Sequence, residues 1–349
     1  MKPLVSILIP CHNAAPWLAE TLKSALTQTW PRTEIILIDD GSTDDSLVVA
    51  GRAVSQFNHP HMRIIAQRNQ GAAATRNLAL ELAQGEVIQF LDADDLLAPD
   101  KIERQMALLA AHPGCLIAGA WARFHHHPQE AVFTPEPPWR NMAPVDWLVC
   151  AWSGHWMMPP AAWLVPRSLI RAAGPWQTAL SLNDDGEYFA RVILASQGIR
   201  FCPAARSYYR SGNRTSLSGR KTTAAWASQY QALALQSQHL LAAENSDRTR
   251  QVCANLMQRF IYEVFPAVPS LRNLAARKVR NLGGATEKPM GGPLFQLAAR
   301  LIGWQRARHA QLFVNQWGYR RLALGRIFAA TDSATAPSQQ EDRPQWQES

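Results

Sequence analysis

The sequence predicts an α/β fold, a mostly parallel sheet with helices on both faces, and three observations carry that expectation. Short apolar runs alternate with amphipathic segments of about 10–15 residues through the first hundred positions, the pattern of βαβ units. The runs are apolar almost without interruption, as strands buried on both faces are. Each run ends in a polar cluster: Cys11-His12-Asn13, Asp39-Asp40-Gly41-Ser42, Arg68-Asn69, and Asp92 to Asp95. Ligands of such sheets bind at the carboxyl ends of the strands, so four polar clusters are expected to converge on one edge.

The elements follow in order. "LVSILIP" reads as the first strand, and "APWLAETLKSALTQTW" as a helix with Leu18, Leu22, Ala25 and Leu26 on one face. "EIILIDDGS" is a strand, "SLVVAGRAVSQF" a helix and "MRIIAQRN" a strand. "AAATRNLALELAQG" reads as a helix stopped by Gly85. "EVIQFLDADD" is a fourth strand, and "PDKIERQMALLAAH" a helix with Pro99 near its first turn, where proline is tolerated. "CLIAGAWARF", "AAWLVP" and "IRFCPAARSYYR" look like further strands, and "DDGEYFARVILASQG" like a helix begun by Asp and ended by Gly198. Beyond about residue 220 the strand signals stop and helical periodicity takes over. The expected organisation is 1–220 α/β domain, 221–330 basic helical region, and 331–349 disordered tail.

The chain has 349 residues, 47% hydrophobic and 18% charged, which is a globular composition. No stretch has the roughly 18 apolar residues of a membrane span. The apolar run near the N-terminus lacks a small-residue cleavage site after it, so it is read as a strand. Five scattered cysteines without a CxxC pair favour reduced thiols, a cytoplasmic setting and no zinc site. His125–His127 precede Pro128 and read as a solvated loop. Charge is uneven: residues 251–330 carry 12 Lys or Arg against Glu263 and Glu287.

The stretch "VIQFLDADD" ends a buried run in three carboxylates. Such crowding costs free energy unless a cation or solvent compensates it. Residues two apart on a strand share a side, which would point Asp92 and Asp94 together. Hard carboxylate oxygens suit Mg²⁺ or Mn²⁺, held with substrate phosphates. A strand end with solvated acids beside a helix cap explains the same residues, and a DxD alone is common. "IILIDDGSTDDS" repeats the form; one of its acids can accept from a base or a ribose hydroxyl, and Ser42 or Thr43 can cap the next helix.

"VSILIPCHNAAPWLAETLKSALTQTW", "EIILIDDGSTDDS", "NQGAAATRNLAL" and "GEVIQFLDADDLLAPDKI" closely resemble the family 2 glycosyltransferases of GT-A fold. The resemblance is strong over residues 4–105 and thinner to about 215. It implies a nucleotide-diphosphate sugar donor, with a UDP-sugar favoured, a divalent ion, and inversion at the anomeric carbon. It puts Pro10, His12 and Asn13 beside the base and Asp40 on it, with His12 where the family often has an aromatic residue. Arg76 would support the nucleotide side. Asp92 would meet the ribose, with Ala93 between it and Asp94, and Asp94 would meet the metal. The family's catalytic aspartate maps to Asp185 in "SLNDDGEYFARV", beside Asp184. A carboxylate there would take the acceptor hydroxyl's proton; a helix cap with Glu187 in the first turn is the plainer reading. Arg210 and Arg214 stand where a pyrophosphate contact is expected, and Trp156, near Trp152 and Trp163, could stack on a sugar.

The resemblance implies a glycan or lipid-linked acceptor and a role in cell-envelope or exopolysaccharide synthesis. The basic region reads as a helical cap or as a surface lying on an anionic membrane, the inner face in a cytoplasmic protein, with Trp304, Phe313 and Trp317 beside Arg306, Arg308, Arg320 and Arg321. Nucleic acid is not expected, because no recognisable module accompanies it. Two other functions fit less of the sequence. A sugar-nucleotide nucleotidyltransferase would want a Gly-rich phosphate loop after the first strand, where "PCHNAAPW" stands. A non-catalytic glycan-binding domain would not need both Asp94 and Asp185.

Overall fold

The computed structural model describes residues 2–57, 61–212 and 221–315. Eight strands form one sheet: β1 (Val5–Cys11), β2 (Thr33–Asp40), β3 (Met62–Gln67), β4 (Val87–Phe90), β5 (Leu96–Leu97), β6 (Leu116–Phe124), β7 (Trp163–Pro166) and β8 (Ile199–Arg210). Their order is β3-β2-β1-β4-β7-β6-β8-β5. The first four are mutually parallel, β7 runs antiparallel to β4 and β6, and β6 is parallel to β8. The expected α/β architecture of GT-A type is therefore present, with four parallel strands ending on one edge.

The helices are α1 (Ala15–Leu26), α2 (Ser46–Phe57), α3 (Ala72–Leu82), α4 (Lys101–Ala111), α5 (Pro144–Gly154), α6 (Arg167–Ala173), α7 (Asp184–Ala195), α8 (Thr223–Ala243), α9 (Asp247–Val264), α10 (Pro269–Asn281) and α11 (Pro293–Ile302). Side chains alternate across the strands, so the sheet feeds two cores. Val5, Ile7, Ile9, Ile35 and Leu37 pack with Leu18 and Leu22 of α1 on one face. Leu8, Ile36, Ile38, Ile88 and Phe90 pack with Ala73 and Ala79 of α3 and with α7 on the other. Burying each such side chain contributes roughly 1.5–3 kcal/mol.

Helix α3 stops at Leu82 and not at Gly85, because Ala83 already has extended backbone. Gly85 serves a close approach instead: a Cβ there would lie 2.6 Å from the Ser6 amide nitrogen. Asp92 to Asp95 are not a continuation of β4. The strand ends at Phe90 and a turn follows, closed by the Asp95 N–H on the Asp92 carbonyl at 3.1 Å. Strand alternation is thus the wrong reason for pairing Asp92 with Asp94, although the turn leaves both half-exposed and buries Ala93 and Asp95.

Residues Met1–Glu287 form one compact unit and residues from Lys288 a second. Helix α9 buries Val252, Cys253, Leu256, Met257, Phe260 and Ile261, inside the first unit. The change of sequence character at 220 is therefore not a packing boundary. In the second unit α11 leaves Leu294, Leu297 and Leu301 exposed. No helix among the described residues is long and apolar enough to cross a membrane. Arg214, Trp317, Arg320, Arg321 and the 331–349 tail lie outside the described residues.

Candidate active site

The ends of β1, β2 and β3 meet where the sequence expects them to. His12 Nδ1 lies 2.9 Å from the Asp40 carbonyl oxygen, and Asn69 Nδ2 donates to that same oxygen at 3.0 Å. Asn13, in the left-handed region at φ 51°, accepts from the Thr43 amide at 2.8 Å. Pro10 is half-buried at the end of β1, and His12 and Asn13 are exposed beside it. The Asp40 carboxylate is buried and turned into the loop before α3, accepting from the amides of Gln70 and Gly71 at 2.8 and 2.9 Å and from Gln67 Nε2 at 2.7 Å. What Asp40 visibly does is hold this loop, and its carbonyl fixes His12.

Arg76 projects from α3 and joins the two acidic clusters. It donates from Nη2 to Asp92 at 2.8 Å and from Nη1 to Asp184 at 2.9 Å, with its guanidinium 4.6 Å from the Trp176 ring centroid. Burial opposes its charge, but Asp92 and Asp184 outweigh burial and hold its pKa above the ordinary arginine value. Trp176 stacks on Tyr188 of α7 at 3.9 Å and meets Phe90 edge-on at 5.4 Å. This aromatic cluster seats the start of α7 above the end of β4, which brings Asp184 to Arg76.

Asp185 follows in the first turn of α7, half-buried, and accepts from the Gly186 amide at 2.8 Å. Burial, then the neighbouring Asp184 charge, push its carboxyl up to about 6, with Arg76 opposing. A carboxyl poised there is suited to general-base work near neutral pH. Glu187 is not an alternative base: it is fully buried, paired with Arg191 at 2.8 Å and 3.0 Å from His239 Nε2. Gly186 permits a close approach, since a Cβ there would lie 2.7 Å from Gln236 Nε2 of α8.

At the Asp92–Asp95 turn, Asp95 is buried with Oδ2 unpartnered, and burial plus the charges of Asp94 and Asp92 raise its pKa well above the usual carboxylate range. Negative charge crowded in this way fits a divalent cation. Among the described residues no three His, Cys, Asp or Glu side chains are arranged to hold a metal by themselves. A cation here would take its remaining ligands from substrate phosphates and water. Arg210 is engaged elsewhere, donating to the Asp94 carbonyl at 2.9 Å and to Glu20 at 2.6 Å, so it braces the acidic turn.

Asp185 also lines a cavity of about 410 Å³ bounded by α5, α7, α8 and α9, with Trp152 and Trp156 among its walls. Trp163 is buried core. Sequence reasoning missed Trp176 and Arg259. Nothing local marks the first. The second had a signal, since Val252, Leu256, Arg259 and Glu263 recur at helical spacing and put a cation and an acid at the end of an apolar stripe.

The parallel half of the sheet ends in an acidic edge that faces a buried arginine and a carboxylate at a helix start, an arrangement of GT-A type. Residues 6–144 match the family model described as glycosyl transferase family 2. Through that stretch the chain is similar to the family 2 glycosyltransferases. It is 39% identical over 108 residues to the putative teichuronic acid biosynthesis glycosyltransferase TuaG of Bacillus subtilis, covering 31% of this chain and 42% of TuaG. The chain spans less than half the length of the curated relatives it matches. The fold is similar to S. aureus TarS 1–349 in complex with UDP-GlcNAc, at TM-score 0.64 and 15% identity over 80% of each chain. It is also similar to the mannosyltransferase PcManGT of Pyrobaculum calidifontis in complex with GDP-Man and Mn²⁺, at TM-score 0.51 and 20% identity, covering 91% of this chain and 88% of that one.

Proposed function

We propose that the protein transfers a sugar, with inversion, from a nucleotide-diphosphate sugar to a hydroxyl of a glycan or lipid-linked acceptor in cell-envelope polysaccharide synthesis. The observation that carries this is the Arg76 bridge between Asp92 and Asp184, which gathers the acids of the β4 turn and the start of α7 around one site. TuaG supports the envelope role, and the TarS complex with UDP-GlcNAc supports a UDP-sugar.

The donor's base lies against Pro10, His12 and Asn13, with Asp40 ordering the loop beneath. Its ribose and diphosphate meet Asp92, Ala93 and Asp94. Mn²⁺ or Mg²⁺ at Asp94, the former supported by the PcManGT complex, would offset charge on the leaving diphosphate. Asp185 takes the proton of the acceptor hydroxyl as its oxygen forms the new bond to the anomeric carbon. The bond from that carbon to the diphosphate oxygen breaks, and the electron pair leaves with the nucleoside diphosphate. An in-line displacement of this kind inverts the centre.

Residues 1–220 carry this chemistry in our reading, and the basic region with the exposed α11 leucines rests on an anionic membrane surface, on its cytoplasmic side. The test is a panel of nucleotide-sugars incubated with the protein and Mn²⁺, reading slow donor hydrolysis and calorimetric binding. Hydrolysis of one donor well above the others is expected. No binding of any nucleotide-sugar overturns the reading.

A further inference from the structure

The cavity beside Asp185 has a mixed lining that its size does not require. Trp152, Trp156 and Phe260 supply apolar wall, and Gln229, Arg259 and Glu263 supply polar groups away from the start of α7. Two of those polar groups have buried atoms without a hydrogen-bond partner: Arg259 Nε, a donor, and Gln229 Oε1, an acceptor. Arg259 is only partly compensated within the fold. Its Nη2 donates to the Trp152 carbonyl at 3.1 Å and reaches Glu287 at 3.4 Å, a long ion pair. Burial lowers its pKa, and Glu287 and Glu263 do not make up the difference. Glu263 is itself occupied by Gln229 Nε2 at 2.9 Å.

We propose that this cavity receives the acceptor, and that the acceptor carries an anionic group, a carboxylate or a phosphate, which Arg259 binds. The inference rests on the transferase reading, because that reading sets an acceptor hydroxyl at Asp185. A guanidinium matches the paired oxygens of a carboxylate or phosphate through parallel N–H groups. A neutral acceptor would leave Arg259 Nε buried and unpaired, which is unfavourable. Asp185 repels an anion, so the anionic group goes to Arg259 while the hydroxyl end goes to Asp185. A sugar ring or lipid chain between them lies against Trp152 and Trp156, and Gln229 Oε1 accepts from a ligand hydroxyl.

The experiment is calorimetric titration of the full chain, loaded with nucleoside diphosphate and Mn²⁺, with three probes sharing one tail: octyl β-glucoside, octyl β-glucuronide and octyl β-glucoside 6-phosphate. One or both anionic probes should bind about 10- to 100-fold more tightly than the neutral one. The better of the two names the group. Arg259→Gln should bring that ratio to about one. Glu287→Gln, which removes the competing carboxylate, should raise it, and this variant serves if Arg259→Gln does not fold. Equal binding of all three probes by the native protein overturns the proposal. So does a preference that survives Arg259→Gln, or one that falls in Glu287→Gln. Nucleoside diphosphate binding is read on the same preparation. Its absence with the anion preference intact counts against the transferase reading and leaves the anion site standing; its presence without the preference counts against the anionic acceptor alone.

Discussion

Arg76 donates to Asp184 at 2.9 Å, and the two residues come from helices more than a hundred positions apart in the sequence. The same guanidinium holds Asp92, so the two acidic clusters of the site are positioned against each other through one buried side chain. Removing one partner of a buried ion pair leaves an uncompensated charge, which is where the cost lies.

Arg76→Met should therefore lower unfolding free energy by about 3–5 kcal/mol. Arg76→Lys should lower it too, because one ammonium cannot fork to both carboxylates. Denaturant unfolding monitored by circular dichroism measures this. A loss below about 1 kcal/mol for Arg76→Met would show that the pair contributes little more than a surface bridge does.

Asp185→Asn should reduce transfer by roughly 10²- to 10⁴-fold and leave metal-dependent donor binding in place. In the native protein the rate should rise with pH and level off above about 6, because the carboxylate must be ionised to accept a proton. The variant should lose that limb. Its stability has a defined sign as well. A carboxyl raised from 3.8 to about 6 contributes stability below the lower value that is lost as pH rises through the higher one. At pH 7.5 the native protein has already lost that contribution, so Asp185→Asn should melt no lower. Near-native transfer by the variant would reduce Asp185 to a capping residue, and Asp184 would be the next base to test.

Asp94→Asn should abolish the Mn²⁺ dependence of nucleoside diphosphate binding. The crowding of Asp92, Asp94 and Asp95 motivates this, since a cation offsets it and an amide in place of one carboxylate removes part of the attraction. Calorimetric titration with and without Mn²⁺ reads it. If the variant binds nucleotide and metal as the native protein does, the metal assignment is wrong.

Leu297→Ser with Leu301→Ser should weaken sedimentation with anionic vesicles by about 10²-fold, because both leucines of α11 are exposed and each buries into the interface on binding. Neutral vesicles should bind the native chain poorly, since the basic residues supply attraction to anionic lipid. A chain shortened near residue 250 is unsuitable here, because it would cut through the buried face of α9. Equal binding to both vesicle types, or no effect of the double change, would make α11 a plain surface helix.

The amino-acid sequence makes the sheet legible. Runs such as "VSILIP" and "EIILID" are buried on both sides and interleave with amphipathic helices, and local periodicity is enough to specify such units. It also indicated that the clusters at His12, Asp40, Asn69 and Asp92 share an edge, because parallel strands necessarily end together. Packing between segments sets how those residues are used. Asp40 turns into its own loop, Arg210 braces a turn, and Arg76 crosses to Asp184 because Trp176, Tyr188 and Phe90 stack α7 onto the sheet. The cavity beside Asp185 is likewise a product of α8 and α9 folding back over α7, with Arg259 carried into its wall. These relationships join residues far apart in the chain, and no local pattern encodes which distant side chain fills a given hole or meets a given charge. Hydrophobic periodicity fixes which face of a segment is buried, whereas packing between segments fixes which charges meet.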